Sequence, residues 1–148
     1  MKTTTMKWAL MAMVSACMFF SCKKDEDKPS GCEINKANLS GSYKFTAVEY
    51  KQSASATPVN YMQFMEDCEK DNILELRNDG TYEYKDAGNV CASHEVEKGS
   101  WNLQGHILTL DDEPLPGTIT SFDCKTLVYY VENGITDGDR MTYTMTKQ

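Results

Sequence analysis

The sequence predicts an all-β domain of antiparallel strands, arranged as a sandwich or a barrel. Three observations lead there. Apolar and polar residues alternate over short stretches between Tyr43 and Thr146, the period-two signature of half-buried strands. Gly, Asn, Asp and Pro clusters punctuate these stretches at short, regular spacing. No strand–helix alternation implies a parallel sheet, and there is no internal repeat.

The chain has 148 residues, enough for one domain. Residues 1–21 stand apart. Lys2 and Lys7 are basic, Trp8 to Phe20 is an apolar run, and Ser21-Cys22 follows at once. This predicts a secretory signal peptide over 1–21. The run is too short to cross a bilayer. Phe19-Phe20-Ser21-Cys22 resembles a bacterial lipobox without the usual Leu at its first position, so Cys22 is expected to carry the lipid that holds the protein at the membrane. Removal of 1–21 takes away two lysines and no acid. It leaves 127 residues with 13 basic and 22 acidic side chains, a net charge of −9. That balance argues against nucleic acid as a partner. Residues 22–38 are expected as the lipidated cysteine and a flexible tether, since 23–31 is charged, contains Pro and has no aliphatic or aromatic side chain. Lys24-Asp25-Glu26 resembles the acidic export signal of surface lipoproteins of Bacteroidetes-type bacteria. The expected location is therefore the outer membrane, with the domain exposed on the cell surface or, in the alternative, facing the periplasm.

The domain spans 39–148. Strand one runs from Tyr43 to about Lys51, with Tyr43, Phe45 and Ala47 on one face. Residues 52–59 form a Ser/Ala/Thr-rich loop, and 61–71 a short helix or lid. Ile73–Leu76 and Thr81–Tyr84 pair as a hairpin. A three-residue loop, Asn78-Asp79-Gly80, places Leu76 opposite Tyr82 and Leu74 opposite Tyr84, which keeps all four apolar side chains on one face. Residues 86–93 are a loop. Glu95–Leu103 and His106–Leu110 form the central hairpin across a Gln104-Gly105 turn, which predicts Trp101 opposite Leu108 and Gly99 opposite Leu110. Ile119–Phe122, Lys125–Glu132 and Arg140–Thr146 complete eight strands.

Cys32, Cys68, Cys91 and Cys124 remain once Cys17 leaves with the signal and Cys22 is lipidated. An even number in an exported chain predicts two disulfides, with three possible connectivities. Cys68–Cys91 is preferred because the hairpin between them brings their ends together. Cys32–Cys124 then ties the N-terminal arm to a late strand. The spacing of a zinc site is absent. Asp111, Asp112 and Glu113, or Asp137 and Asp139, lack the spacing of a calcium loop and are expected to be solvated turns. No metal and no cofactor is expected. His94 and His106 are the only histidines. Neither joins a nucleophile motif or phosphate loop, so the sequence predicts no enzyme.

Leu39-x-Gly41-x-Tyr43, Leu76-x-x-x-Gly80-Thr81-Tyr82 after Cys68, and Gly99-x-Trp101-x-Leu103-x-Gly105-x-x-Leu108-x-Leu110 together resemble the lipocalin-like domain of Bacteroidetes lipoproteins over about 39–147. The resemblance implies an eight-stranded up-and-down antiparallel barrel that can hold one small ligand. Tyr43 stands where lipocalins proper carry Trp, and no C-terminal helix follows the last strand. Lipocalins also set a late basic residue over that aromatic; strand eight runs antiparallel to strand one, so Lys147 is its expected counterpart and Arg140 lies at the far end.

Phe45, Tyr82, Tyr84, Trp101, Leu103, Leu108 and Tyr143 are the candidate ligand-lining residues, with Tyr129 or Tyr130 beside them. Their bulk argues for a filled interior over a deep cavity. Two roles follow: binding of an apolar small molecule, such as a lipid or a bile-acid-like compound, or a solid barrel whose loops 52–71 and 86–94 dock an envelope protein or a glycan.

Overall fold

The computed structural model describes residues 32–91, 97–111, 113 and 115–148. The signal peptide, Cys22, the acidic tripeptide, His94 and Asp112 lie outside the described residues.

A four-residue helix α1 (Lys36–Leu39) precedes β1 (Gly41–Lys51). Then come a two-residue β2 (Val59–Asn60), a 3-10 turn (Tyr61–Phe64) and helix α2 (Asp67–Lys70). The rest is antiparallel strand: β3 (Ile73–Leu76), β4 (Thr81–Lys85), β5 (Lys98–Gln104), β6 (Ile107–Leu110), β7 (Gly117–Phe122), β8 (Thr126–Glu132) and β9 (Arg140–Lys147). Strands β3 to β9 pair in sequence order, and β1 pairs with both β3 and β9. The sheet therefore closes into an eight-stranded up-and-down barrel, and β2 is a short appendage on β1. Closure removes the unpaired edges that an open sheet would leave. The segment expected as a short helix or lid after strand one is the 3-10 turn followed by α2.

The β3–β4 register matches the sequence reading, with Leu76 opposite Tyr82 and Leu74 opposite Tyr84. Gly80 takes φ +92°, and its N–H donates to the Arg77 carbonyl at 3.0 Å, as a type I turn with a G1 bulge requires. The central hairpin differs. Its turn is Gly105-His106, so Trp101 faces Leu110 and Leu103 faces Leu108. Gly105, at φ +60°, occupies the first turn position, where two-residue hairpins of the II′ type place glycine. The register moves by two residues, which preserves which face each side chain occupies. Gly99 faces Tyr82 across the β4–β5 pair instead of Leu110. A second difference lies in β1. A bulge between Phe45 and Ala47 flips the alternation, so Val48 is buried at 1% exposure where the sequence had placed Ala47.

Both disulfides follow the preferred connectivity, Cys32–Cys124 and Cys68–Cys91. The Cys32 N–H also donates to the Phe122 carbonyl, so the arm over 32–38 is fastened to the barrel. The core gathers Leu39, Tyr43, Leu74, Leu76, Tyr82, Trp101, Leu108 and Met145 with Ile119, Phe122 and Leu127. Each large apolar side chain so buried contributes about 1.5–3 kcal/mol.

Candidate functional site: a half-filled barrel

The two ends of the barrel are built differently. At the end where β1 begins, α1 lies across the opening. Leu39 is fully buried, and the Tyr43 hydroxyl donates to its carbonyl at 2.8 Å. Trp101 is 2% exposed, and its indole N–H donates to the Arg77 carbonyl at 2.8 Å. Lys36 places its ammonium 5.1 Å from the Trp101 ring centre, while Lys147 lies 5.6 Å from Tyr43 and 5.9 Å from Phe122. The Lys147 ammonium also donates to the Asn38 carbonyl at 2.8 Å. Desolvation lowers its pKa, but the two aromatic faces and the carbonyl accept its charge. Apolar side chains fill this end, and hydrogen bonds seal it.

The opposite end is hollow. A cavity of about 370 Å³ is walled by Phe45, Tyr84, Leu108, Tyr129, Val131 and Tyr143, with Met65, Leu110 and Leu115 toward the mouth. Small-molecule pockets span about 300–1,000 Å³, so the volume suits a compact ligand. Tyr129 stacks on Tyr143 with ring centres 5.0 Å apart and planes inclined by 18°. Phe45 tilts against Tyr143 at 5.8 Å. Gly117 makes room for this cluster: a Cβ there would stand 2.8 Å from the Tyr129 ring. Burial raises the pKa of all three tyrosine hydroxyls, and the negative charge of Glu113 pushes the same way. They stay protonated at neutral pH and serve as neutral hydrogen-bonding groups.

Four polar side chains complete the wall: Glu69, Asn72, Glu97 and Glu113. No Lys, Arg or His is among the described residues that line it. The mouth is braced on one side. The Cys68–Cys91 bridge joins α2 to the 86–91 loop, and Asp71 Oδ2 accepts from the Asn89 N–H at 2.9 Å. A groove of about 400 Å³, lined by Val48, Tyr61, Phe64 and Met141, shares Met65, Glu69 and Tyr143 with the cavity.

Four sequence candidates, Phe45, Tyr84, Leu108 and Tyr143, meet in this cavity. Tyr82, Trp101 and Leu103 belong instead to the filled end or its flank. Of the Tyr129–Tyr130 pair, Tyr129 lines the cavity while Tyr130 lies under the Arg140 guanidinium at 3.9 Å. Glu69 and Asn72 escaped the sequence reading because they sit in and just after the short helix α2, where no strand alternation applies. Glu113 was expected only as part of a solvated turn, and Glu97 shares the period-two face of Trp101 and Leu103 but was not singled out. Asp111 and Asp139 have structural roles. Asp111 accepts from the Ser100 N–H at 2.8 Å and hydroxyl at 2.7 Å. Asp139, 2% exposed, accepts from the N–H groups of Gly134, Ile135 and Thr136. Among the described residues, the one acid–cysteine cluster with metal-like spacing is Glu66, Cys68 and Cys91. The disulfide already consumes both of its sulfurs.

A closed eight-stranded antiparallel barrel, sealed at one end and hollow at the other, defines a cup-shaped binding fold. The family model for the lipocalin-like domain matches residues 39–147, and the chain belongs to that family. No curated protein and no solved structure matches it.

Proposed function

We propose that this protein is a lipid-anchored carrier or sensor of the bacterial envelope that binds one small, largely apolar molecule in the cavity ringed by Phe45, Tyr84, Tyr129 and Tyr143. The observation that carries this reading is the contrast between the two barrel ends. One is filled and hydrogen-bonded shut, while the other encloses about 370 Å³ behind aromatic walls. The role is binding without catalysis. Acylated Cys22 and the 23–31 segment would tether the barrel to the outer membrane, at the cell surface, the expected tether over 22–38 being shortened because 32–38 is bound to the barrel. Thermal unfolding of the purified full chain against fatty acids, sterols, bile acids, aromatic alcohols and aromatic amines tests the reading. A ligand at 100 times its Kd stabilises the native state by about 2.7 kcal/mol, so at least one class raises the melting temperature. If no class does so, the cavity is not a binding site.

A second reading rests on exposed apolar groups at the mouth. Phe64 is 66% exposed and Val90 75%, on the two loops that the sequence singled out for docking an envelope protein or a glycan. A barrel that binds no small molecule leaves this role standing.

A further inference from the structure

Three attachments fix where the N-terminal arm meets the barrel. Cys32 is bonded to Cys124 in the β7–β8 turn, and its N–H donates to the Phe122 carbonyl at 3.0 Å. Further along the arm, the Asn38 carbonyl accepts from the Lys147 ammonium. The β3–β4, β5–β6 and β7–β8 turns share the end where β1 begins, which is the end that Tyr43 and Trp101 seal. The arm is therefore fastened opposite the cavity mouth.

Ten residue steps separate Cys32 from Cys22, at most about 35 Å when fully extended and about 17 Å on average for a flexible spacer. Strand β1 has 11 residues and β9 has 8. At about 3.3 Å per residue and a tilt of about 40°, the barrel wall stands about 20–28 Å high. Turning the mouth onto the bilayer would stretch the spacer along this wall, beyond its average reach. Charge acts in the same direction. The connections around the mouth, 52–72, 86–97, 111–116 and 133–139, carry ten acidic side chains and one lysine among the described residues. The segments at the sealed end, 32–40, 77–80, 104–106, 123–125 and 147–148, carry three acids and four bases. An anionic membrane surface repels the first set and leaves the second nearly indifferent.

We infer that the sealed end of the barrel faces the lipid surface and the mouth points away from it, so that the cavity fills from the aqueous phase. This rests on acylation of Cys22 within the proposed function and goes beyond it by naming the source of the ligand. The ligand is a molecule that reaches the mouth through water, and the lipids of the anchoring membrane are outside its class.

The test uses the full acylated chain, its acylation verified by intact mass. The protein is held in discs of phosphatidylcholine and phosphatidylglycerol that carry a gadolinium-chelating lipid. Isoleucine δ1-methyl resonances report both ends. Ile34 and Ile107 lie at the sealed end and Ile135 on the β8–β9 connection at the mouth, with Ile107 and Ile135 both exposed. The lipid-borne gadolinium is expected to broaden Ile34 and Ile107 several-fold more than Ile135. A water-soluble gadolinium chelate should broaden Ile135 in the discs as much as in the Cys22→Ser protein free in solution. Equal or greater broadening of Ile135 by the lipid-borne ion, or its protection from the soluble chelate, overturns the orientation while acylation and binding stand. A chain without acyl groups removes the anchor and this inference with it, and the thermal screen still judges the cavity separately.

Discussion

The Lys147 ammonium sits 5.6 Å from the centre of the Tyr43 ring, joining the last strand to the first at the sealed end of the barrel. Tyr43 and Lys147 are also direct partners in the β1–β9 register, the pairing that closes the sheet. One side chain thus meets an aromatic face, a second ring at Phe122 and the Asn38 carbonyl. A Cβ at Gly41 would stand 2.2 Å from Lys147 Cε, so the glycine lets the lysine stem pass. The bottom of the cup is fixed by this crossing and by Trp101.

Trp101 is the structural plug. Trp101→Ala should cost about 3–5 kcal/mol by leaving a cavity in the core and removing one of the two hydrogen bonds to the Arg77 carbonyl, that of the Gly80 N–H remaining. Trp101→Phe should cost less, since it retains most of the volume. Urea unfolding of both variants measures this. Trp101 is not among the residues lining the cavity, so ligands should raise the melting temperature with little change in its emission. A large emission shift at saturation would place the ligand at the sealed end.

The closing of the barrel was legible in the sequence, and the cup was not. The counterpart role of Lys147 followed from strand direction, and the β3–β4 register from which loop length kept Leu74, Leu76, Tyr82 and Tyr84 on one face. Turn chemistry misled at Gly105, because both a Gln104-Gly105 and a Gly105-His106 turn satisfy the same period-two pattern. The β1 bulge inserts one residue, and no alternation rule announces such an insertion. Glu113 and Asn72 reach the cavity through tertiary placement of loops, which leaves no periodic trace, whereas Glu97 continues the period-two face of Trp101 and Leu103.

The two disulfides should differ in worth. A bridge stabilises mainly by restricting the unfolded chain, more for a longer loop. Cys32–Cys124 spans 92 residues and Cys68–Cys91 spans 23. Paired Cys→Ala replacement should cost about 2–5 kcal/mol in each case, and about 1 kcal/mol more for the longer loop. Denaturant midpoints of the two double variants decide the order. Four titratable thiols in the unreduced protein would contradict both bridges.

Acid stability should depend on Asp139. Burial alone would raise its pKa, but the N–H donors of Thr136, Ile135 and Gly134 outweigh burial and hold it below the usual carboxylate range. A folded-state pKa below the unfolded value of about 3.9 gives stability that is present above that pH and lost as pH falls through the folded value. Asp139→Asn should therefore lower stability at neutral pH and flatten the acid limb below about pH 4. Chemical unfolding at pH 7, 4 and 3 measures both. An acid limb as steep as that of the original protein would remove Asp139 from this role.

Anchoring is tested at Cys22. Cys22→Ser should yield an unacylated protein that leaves the detergent-extractable membrane fraction. Unchanged membrane fractionation of that variant would contradict lipid attachment.

The central claim is that the hollow end of the barrel, and not its sealed end or outer surface, holds the ligand. The most direct measurement follows the ring carbon resonances of the tyrosines during titration with 2-phenylethylamine and 2-phenylethanol. Saturable shifts at Tyr84, Tyr129 and Tyr143, with Tyr43 and Tyr82 unmoved, are the predicted result. Saturable shifts confined to Tyr43 and Tyr82, or to tyrosines on the outer surface such as Tyr130, would contradict it.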